Sequence, residues 1–484
     1  MIGRVNPQRN FFDEEIFRRI PLDNILVKIN RVVDFDTIAK RLEGYYDRYQ
    51  GRPAWAIVTM VKVLFLEMYF CISDRELERQ LRYNFLYRWF LGLSFYDREP
   101  DASSMSVFRS RIGEEGAREV FDEIVRQARL AGVLVERIKA VDATHMEANA
   151  SRRNVVNFLR HARDKVLGLF RRERPKEAEQ LIRDYGGGER TYHKSTSQEV
   201  MAEVERTREF IRRIGSICGE RVRQWVNLLA ETLDKILSGD TNRVSSFVDP
   251  DARWGHKTEG HIFFGYKIHT VHDESGIVTS LETFGGNEHE GRRLGEILTE
   301  DKGKGIGGIG VTADKLYDSI ENRRVVRSFG MTPYILARTH KRKIDKFSYD
   351  VESETLSCME GKSAIGRITQ EKGWLYYFSM NDCNGCKSRE ECLGSLGKRQ
   401  RVYISEAERE RLITGKAVTI KEAKRIRSDV EPKYGEGKVW HGLGRARWRE
   451  RWRVAIQAFI TFSVMNAKRL VRLLEEKEKR LCPS

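Results

Sequence analysis

The opening residues lack the apolar run of a secretory leader. Met1 to Arg19 is polar and mixed in charge, so no secretory signal is expected. The sequence also has no apolar stretch that stays uncharged across a membrane's thickness. The most apolar run, Ala54 to Ile72, contains Lys62 and Glu67 and reads as a buried amphipathic helix, not a span. The seven cysteines are an odd number, which rules out a fully paired disulfide framework and, without a signal, predicts a reducing compartment. Secreted, disulfide-stapled and membrane-spanning classes are set aside, and a cytoplasmic location is expected.

What remains is long and basic. At 484 residues the chain exceeds one average domain, and 40% hydrophobic content is enough for real cores. A net charge of +16 favours a polyanionic partner, DNA or RNA before an anionic membrane. The charge is concentrated. Lys421 to Arg480 holds 17 Lys and Arg against 8 Asp and Glu, more than half of the net +16. A generally basic soluble protein is the competing, less specific reading.

Hydrophobic period divides the chain. Residues 1 to about 30 have no regular pattern and are expected to be an irregular lead-in. From Asp36 to about Leu130 the period is helical, as in Ile57, Met60, Val61, Leu64, Phe65 and Met68. Within it, Asp101 to Arg111 reads as a short capped helix carrying Arg109 and Arg111 outward, either as a helix-turn-helix DNA reader or as a packing module with solvated arginines. Ser151 to Leu237 is charged, with the apolar spacing of two or more long helices linked around Gly186-Gly187-Gly188. From His261 the period becomes two. Strands are predicted at His261 to Val271 and Gly276 to Phe284, then a helix from about Glu290 to Glu300, a strand at 309–313, a helix at 318–328 and a strand from Thr332 to Arg338. An antiparallel pair followed by parallel crossovers is an α/β arrangement, a mixed sheet with helices on its faces. Lys346 to Arg401 reads as short strands. Ser405 onward is helical again, with Val454 to Leu474 as an amphipathic helix packing back on the sheet. The expected organisation is an all-α unit (1–130), an α/β unit (131–345 plus 402–484), a helical insertion (151–245) and a β-rich insertion (346–401).

Two stretches share one logic: Ile309-Gly310-Val311-Thr312-Ala313-Asp314 and Ile138-Lys139-Ala140-Val141-Asp142 each run apolar residues into a single acid. A carboxylate at a buried strand end is where an α/β sheet presents reactive groups. A third acid, Glu431, precedes the basic, aromatic-rich C-terminal segment, with Asp429 and Glu436 as alternatives. Three acids on separate elements suit a pair of Mg²⁺ (or Mn²⁺) ions, which in phosphoryl transfer activate an attacking oxygen and stabilise a leaving one. Arg427 and Lys438 flank Glu431 and could hold phosphates. Arg445, Arg447 and Arg449 alternate with Trp448, a pattern suited to DNA backbone contacts and base stacking, with Trp448 as a core anchor the competing reading. Cys358, Cys383, Cys386 and Cys392 suit a structural tetrahedral Zn²⁺ site, against free thiols or an iron–sulfur cluster, while Cys71, Cys218 and Cys482 are isolated. His145, His256, His269 and His272 are expected to be structural, and Asp249 to be a turn acid.

The chain resembles a DDE transposase of bacterial insertion sequences, of the type with an InsH-like N-terminal helical domain. The resemblance covers nearly the whole chain. It is carried by Ser73-Asp74-Arg75-Glu76-Leu77-Glu78, Arg88-Trp89-Phe90-Leu91-Gly92-Leu93, Val141-Asp142-Ala143-Thr144, Phe264-Gly265-Tyr266-Lys267 and Thr312-Ala313-Asp314-Lys315-Leu316-Tyr317-Asp318-Ser319. The C-terminal signature matches in Arg427, Glu431 and Lys438, with Lys424 where the family has Tyr. The resemblance implies an RNase H-like fold, Asp142, Asp314 and Glu431 as a Mg²⁺-binding catalytic triad, and cleavage at element ends followed by attack of a freed 3′-hydroxyl on target DNA. It also implies double-stranded DNA partners (terminal inverted repeats and target) and a homodimer on DNA. Alternatives are a catalytically inactive, transposase-derived DNA-binding protein and an RNase H-like nuclease with other substrates.

Overall fold

A computed structural model describes residues 2–3, 11–47, 54–150, 154–187, 195–240, 242–258, 260–336, 346–350, 353–393, 401–412 and 419–481. Gly188, Cys482 and the far end of the strand expected to reach Arg338 lie outside the described residues.

The lead-in is not irregular. It folds into α1 (Phe11–Phe17) and α2 (Ile25–Val32), the latter capped by the Asn24 side chain, which accepts from Leu26 N at 2.9 Å. Helices this short carry too few turns for a periodic signal. Then follow α3 (Phe35–Arg41), α4 (Ile57–Tyr69), α5 (Asp74–Tyr83), α6 (Phe85–Leu91) and α7 (Ala102–Leu130). Asp101 caps α7 by accepting from Ser104 N at 2.6 Å, but the helix runs on well past Arg111. Gly113, at φ 61°, breaks its direction part-way, a conformation that glycine adopts without Cβ strain.

The first strand, β1 (Ile138–Glu147), is followed by α8 (Val155–Glu173), α9 (Pro175–Tyr185), α10 (Ser197–Gly215) and α11 (Glu220–Leu237). These helices close their own core around Phe158, Phe170, Phe210 and Leu229. Arg163 is fully buried there and meets Glu203 at 2.5 Å, an ion pair that neutralises both charges away from water.

The main sheet adds β2 (Arg253–Thr258), β3 (His261–Asp273), β4 (Val278–Gly285), α12 (Leu294–Gly303), β5 (Gly310–Ala313), α13 (Ile320–Ser328) and β6 (Thr332–Ile335). Its order is β2-β3-β1-β5-β6, with β4 also paired to β3. β1 to β4 pair antiparallel, while β1-β5 and β5-β6 are parallel, so the sheet is mixed. β2 has no counterpart among the expected strands. It is six residues long and broken by a register shift, so it has no clean alternation.

A small β-rich segment follows: β7 (Phe347–Asp350) with β8 (Thr355–Cys358), then β9 (Gly366–Gln370), β10 (Gly373–Tyr377) and β11 (Arg401–Ser405) in one sheet. It also carries two short helices, α14 (Met380–Asn384) and α15 (Arg389–Leu393). The chain ends with α16 (Glu406–Leu412), α17 (Ile420–Ser428), α18 (Val430–Trp440) and α19 (Arg451–Leu481). The first half of α19 is not amphipathic: Val454 to Ala467 are buried on every side, because the helix is clamped between the N-terminal helices and the sheet. Asn466 accepts from Val278 N (2.9 Å) and donates to Val278 O (2.7 Å), satisfying the edge of β4. Among the described residues no helix is long and apolar enough to cross a membrane.

Candidate active site

β1 does not stop at Asp142 but continues to Glu147, held by β3 after its other neighbour has ended. The last β1-β5 pair is Val141 with Ala313. Asp142 and Asp314, each the next residue, therefore emerge side by side where two parallel strands part. Asp314 turns the chain into a 3₁₀ turn (Lys315–Tyr317), its Oδ1 accepting from Leu316 N at 2.8 Å. Asp142 is half-buried and accepts from Ala143 N at 2.8 Å. Its carboxyl is pushed up to about 7, first by burial and then by the charges of Asp314 and Glu290, with Arg427 opposing. Two adjacent carboxylates repel, and a divalent cation between them relieves the repulsion.

Behind the acids is a buried polar layer. Tyr317 is fully buried, and its hydroxyl finds no hydrogen-bond partner among the described residues. Burial and the charges of Asp142, Glu290 and Asp314 hold that phenol far above its ordinary range. It stacks on His269, which meets Glu282 at 2.9 Å, and Glu282 accepts from Arg293 at 2.8 Å. Glu290 pairs with Lys267 at 2.5 Å.

α18 covers the site from the face that Asp142 shares with its cross-strand partner Thr270, opposite the layer of His269 and Tyr317. Thr270 sits opposite Asp142 in the β1-β3 register, and its hydroxyl bonds Tyr434 Oη (2.6 Å) and His272 Nε2 (2.8 Å). Burial and Asp142 raise the Tyr434 phenol, which ties this helix electrostatically to the acid. Arg427, at the end of α17, is half-buried within electrostatic reach of Asp142. Lys438 lies 3.4 Å from His145 Nδ1. Burial and the neighbouring Lys257 lower Lys438 to about 8, and burial followed by Lys438 and Lys257 lowers His145 to about 4. At neutral pH His145 is the uncharged partner, able to accept from the ammonium.

Glu431, in the first turn of α18, is exposed. Among the described residues no three His, Cys, Asp or Glu side chains converge on one point suited to a metal ion, and this holds for the three acids and for the four cysteines. The donors still fit a hard cation, since Mg²⁺ uses one or two carboxylates and fills its shell with water and substrate phosphates.

The structure moves several expected DNA contacts. Arg109 does not face outward. It is buried, bonds Glu67 at 3.1 Å and Asp74, and sits over the Trp448 ring at 4.4 Å. Glu67, fully buried, forces this: burial, then Asp74, raises its carboxyl well above the usual range, and Arg109 is the cation that offsets it. Trp448 is partly buried and packs against the core, as the core-anchor reading expects. Arg447 donates to Ile72 O at 2.5 Å and Glu67 O at 3.3 Å, and Arg449 to Asn149 O at 3.0 Å. These arginines lock the segment after α18 to neighbouring backbone. Arg445 and Arg111 are exposed, Arg111 lying over the Tyr46 ring at 4.5 Å. Cys358, Cys383, Cys386 and Cys392 line one small cavity of about 40 Å³. Burial, then the other three cysteines, raises the Cys392 thiol.

Sequence reasoning missed Glu290, Tyr317 and Tyr434 as parts of this site. Tyr434 was findable, one helical turn after Glu431 on α18. Glu290 had no signal, because its place depends on how the chain returns from β4.

Two family models match. A transposase domain (DUF772) covers residues 14–111, and a transposase DDE domain covers residues 230–467. Asp314 and Glu431 fall inside the second, and Asp142 lies outside both. Over 109 residues the chain is 32% identical to a Rhizobium meliloti protein described as "Uncharacterized protein ORF8 in nfe locus". That alignment covers 22% of this chain and 52% of the relative, so the chain spans about half the length of that curated protein.

Proposed function

From a chain that belongs to the DDE transposases, with both an N-terminal transposase domain and a transposase DDE domain, we propose a DNA cleaving and joining enzyme that acts at insertion-sequence ends. Its sheet is read as RNase H-like: a long antiparallel β1-β3-β4 meander extended by parallel β5 and β6. The observation that carries the reading is the pairing of Asp142 with Asp314 at the parting of β1 and β5, with Asp142 raised to about 7.

Asp142 and Asp314 would hold a divalent cation, Mg²⁺ or Mn²⁺, with Glu431 joining from α18. When bound, such an ion lowers the barrier by polarising the scissile phosphate and favouring the ionised attacking oxygen. The residues of the chain do the rest. Tyr434, anchored on Thr270, fixes the angle at which α18 crosses the sheet. Arg427 balances part of the acidic charge and is placed to orient a phosphate oxygen by charge-assisted hydrogen bonds. Lys438, lowered to about 8, stays mostly protonated at neutral pH and supplies a second phosphate contact beside His145. Tyr317 closes the floor and keeps water from behind the carboxylates.

In this reading the same centre first cuts the element end and then directs the freed 3′-hydroxyl at target DNA, with two copies of the chain holding two ends. The four cysteines are read as one structural Zn²⁺ site that staples a segment whose own core is small.

The test is cleavage of a labelled duplex bearing the gene's flanking ends with Mg²⁺. Wild type should nick at the end. Asp142→Ala, Asp314→Ala and Glu431→Ala should each lose at least about a hundredfold in rate, equivalent to ~2.7 kcal/mol of barrier, while binding the duplex nearly as well. Specific binding without cleavage by wild type would favour a non-catalytic DNA-binding role instead.

A further inference from the structure

α18 has two flanks that diverge by about half a turn, at ~100° per residue. Val430, Tyr434 and Gly437 face the core. Glu431 and Lys438 share one flank. Lys433, Glu436 and Trp440 share the other, so Glu436, an alternative third acid from sequence, points away from the paired aspartates. That second flank borders a surface groove of about 850 Å³, lined also by Lys28, Tyr69, Lys468, Arg469 and Arg472.

The charges in this groove are unequal. Glu436 pairs with Lys468, and Lys28 with Glu475 at 2.7 Å. Asp23 is the one further acid among the described lining residues. Lys433, Arg469 and Arg472 make no ion pair within 4 Å among the described residues. Arg469 donates to Ser275 O at 2.8 Å. Lys433 and Arg469 converge over Gly276, in the β3-β4 turn: a Cβ there would lie 3.4 Å from Arg469 Nε and 3.6 Å from Lys433 Nζ. Lys433 lies within electrostatic reach of Arg469, Arg472 and Lys468, with Glu436 the one acid acting on it in return, and Arg472 also reaches Glu475, so the three cations outweigh the single acid around Lys433. Like charges held this close repel, and an anion shared among them removes that strain. Trp440, 66% exposed at the end of α18, adds an amphipathic rim.

We propose that this groove is a phosphate track for duplex DNA, carrying backbone phosphates along the flank of α18 opposite Glu431. The inference rests on the reading of the chain as a DNA-cutting enzyme and adds to it a second contact surface away from the scissile phosphate. The duplex could be the element end or the target, and the test separates them.

The experiment measures dissociation constants of the full chain for an end-bearing duplex and an unrelated duplex across a salt series. The variant is Lys433→Gln/Arg472→Gln; Arg469 is kept because it holds the β3-β4 turn. A control, Arg171→Gln/Arg172→Gln, removes the same charge from exposed positions of α8. The groove variant should bind about tenfold more weakly or worse, and its slope of log affinity against log salt should shrink by roughly 1–2. The control should match wild type. Loss on the end duplex alone assigns the track to the element end; equal loss on both assigns it to target or flanking DNA. Unchanged affinity and slope in a folded variant, with wild type binding normally, overturn the groove and spare the parent reading. The single variant Arg472→Gln, at an exposed position, decides the matter if the double variant misfolds, with an expected slope change near 1. Wild type that binds no duplex at all overturns the parent reading and the groove with it.

Discussion

Replacing Asp142 by Asn should make the metal-free protein more stable at pH 8, and less so at pH 5. The folded carboxyl titrates at about 7 against an ordinary value of 3.8. Between those values the folded state keeps a proton that the unfolded chain has released. The unfolded state then binds fewer protons, so stability falls as pH rises through the window, and below it the effect vanishes. About three pH units at ~1.4 kcal/mol each give a ceiling of ~4 kcal/mol above pH 7. Water reaching the half-buried carboxylate reduces this, so about 2–4 kcal/mol is expected at pH 8. Asn has the same shape without the charge and escapes the penalty. Chemical denaturation in EDTA should show a gain at pH 8 that exceeds the gain at pH 5 by about 2 kcal/mol, the loss accumulated over the upper part of the window. Added Mg²⁺ should narrow the gap by stabilising wild type alone. Equal gains at both pH values, or a loss at pH 8, would refute the claim that Asp142 is held neutral by burial and Asp314.

Arg109→Met should cost about 3–5 kcal/mol by leaving Glu67 buried without its cation, while the salt slope of DNA binding by the folded fraction stays unchanged; a slope reduced by about one would restore Arg109 as a phosphate contact. Purified protein should hold about one zinc ion per chain, lost in Cys383→Ser/Cys386→Ser, and metal analysis that finds none would remove the zinc reading. Lys438→Met should weaken cleavage more than duplex binding and flatten the fall in activity above about pH 8, where the ammonium loses its proton; an unchanged pH profile would take Lys438 out of the chemistry.

Much of this architecture is legible in local pattern. β3, β4, β5 and α12 follow from apolar alternation and spacing, and the two aspartates from apolar runs that end in an acid. What local pattern cannot carry is which side chains the fold brings together. Arg109 reads as a surface arginine until Glu67, on a helix far away in sequence, is seen to require a buried cation. Trp448 and Arg447 look like a nucleic-acid patch because composition cannot distinguish a solvated arginine from one bonded to backbone carbonyls. The uniform burial of α19 comes from a sandwich between two layers, and an isolated helix period does not reveal how many faces find partners. Glu290 and the Lys433, Arg469 and Arg472 cluster are assembled from elements that only the tertiary path makes neighbours.

If Asp142, Asp314 and Glu431 share one divalent-cation site, removing any of the three carboxylates must weaken the ion's hold. Mn²⁺ titration of the full chain, followed calorimetrically or by electron paramagnetic resonance, reads this directly for wild type, Asp142→Asn, Asp314→Asn and Glu431→Gln, with and without a short duplex. Each aspartate variant should weaken Mn²⁺ binding at least about tenfold, or ~1.4 kcal/mol, and Glu431→Gln should do so at least when DNA is present. Undiminished Mn²⁺ affinity in Asp142→Asn or Asp314→Asn would contradict the shared site.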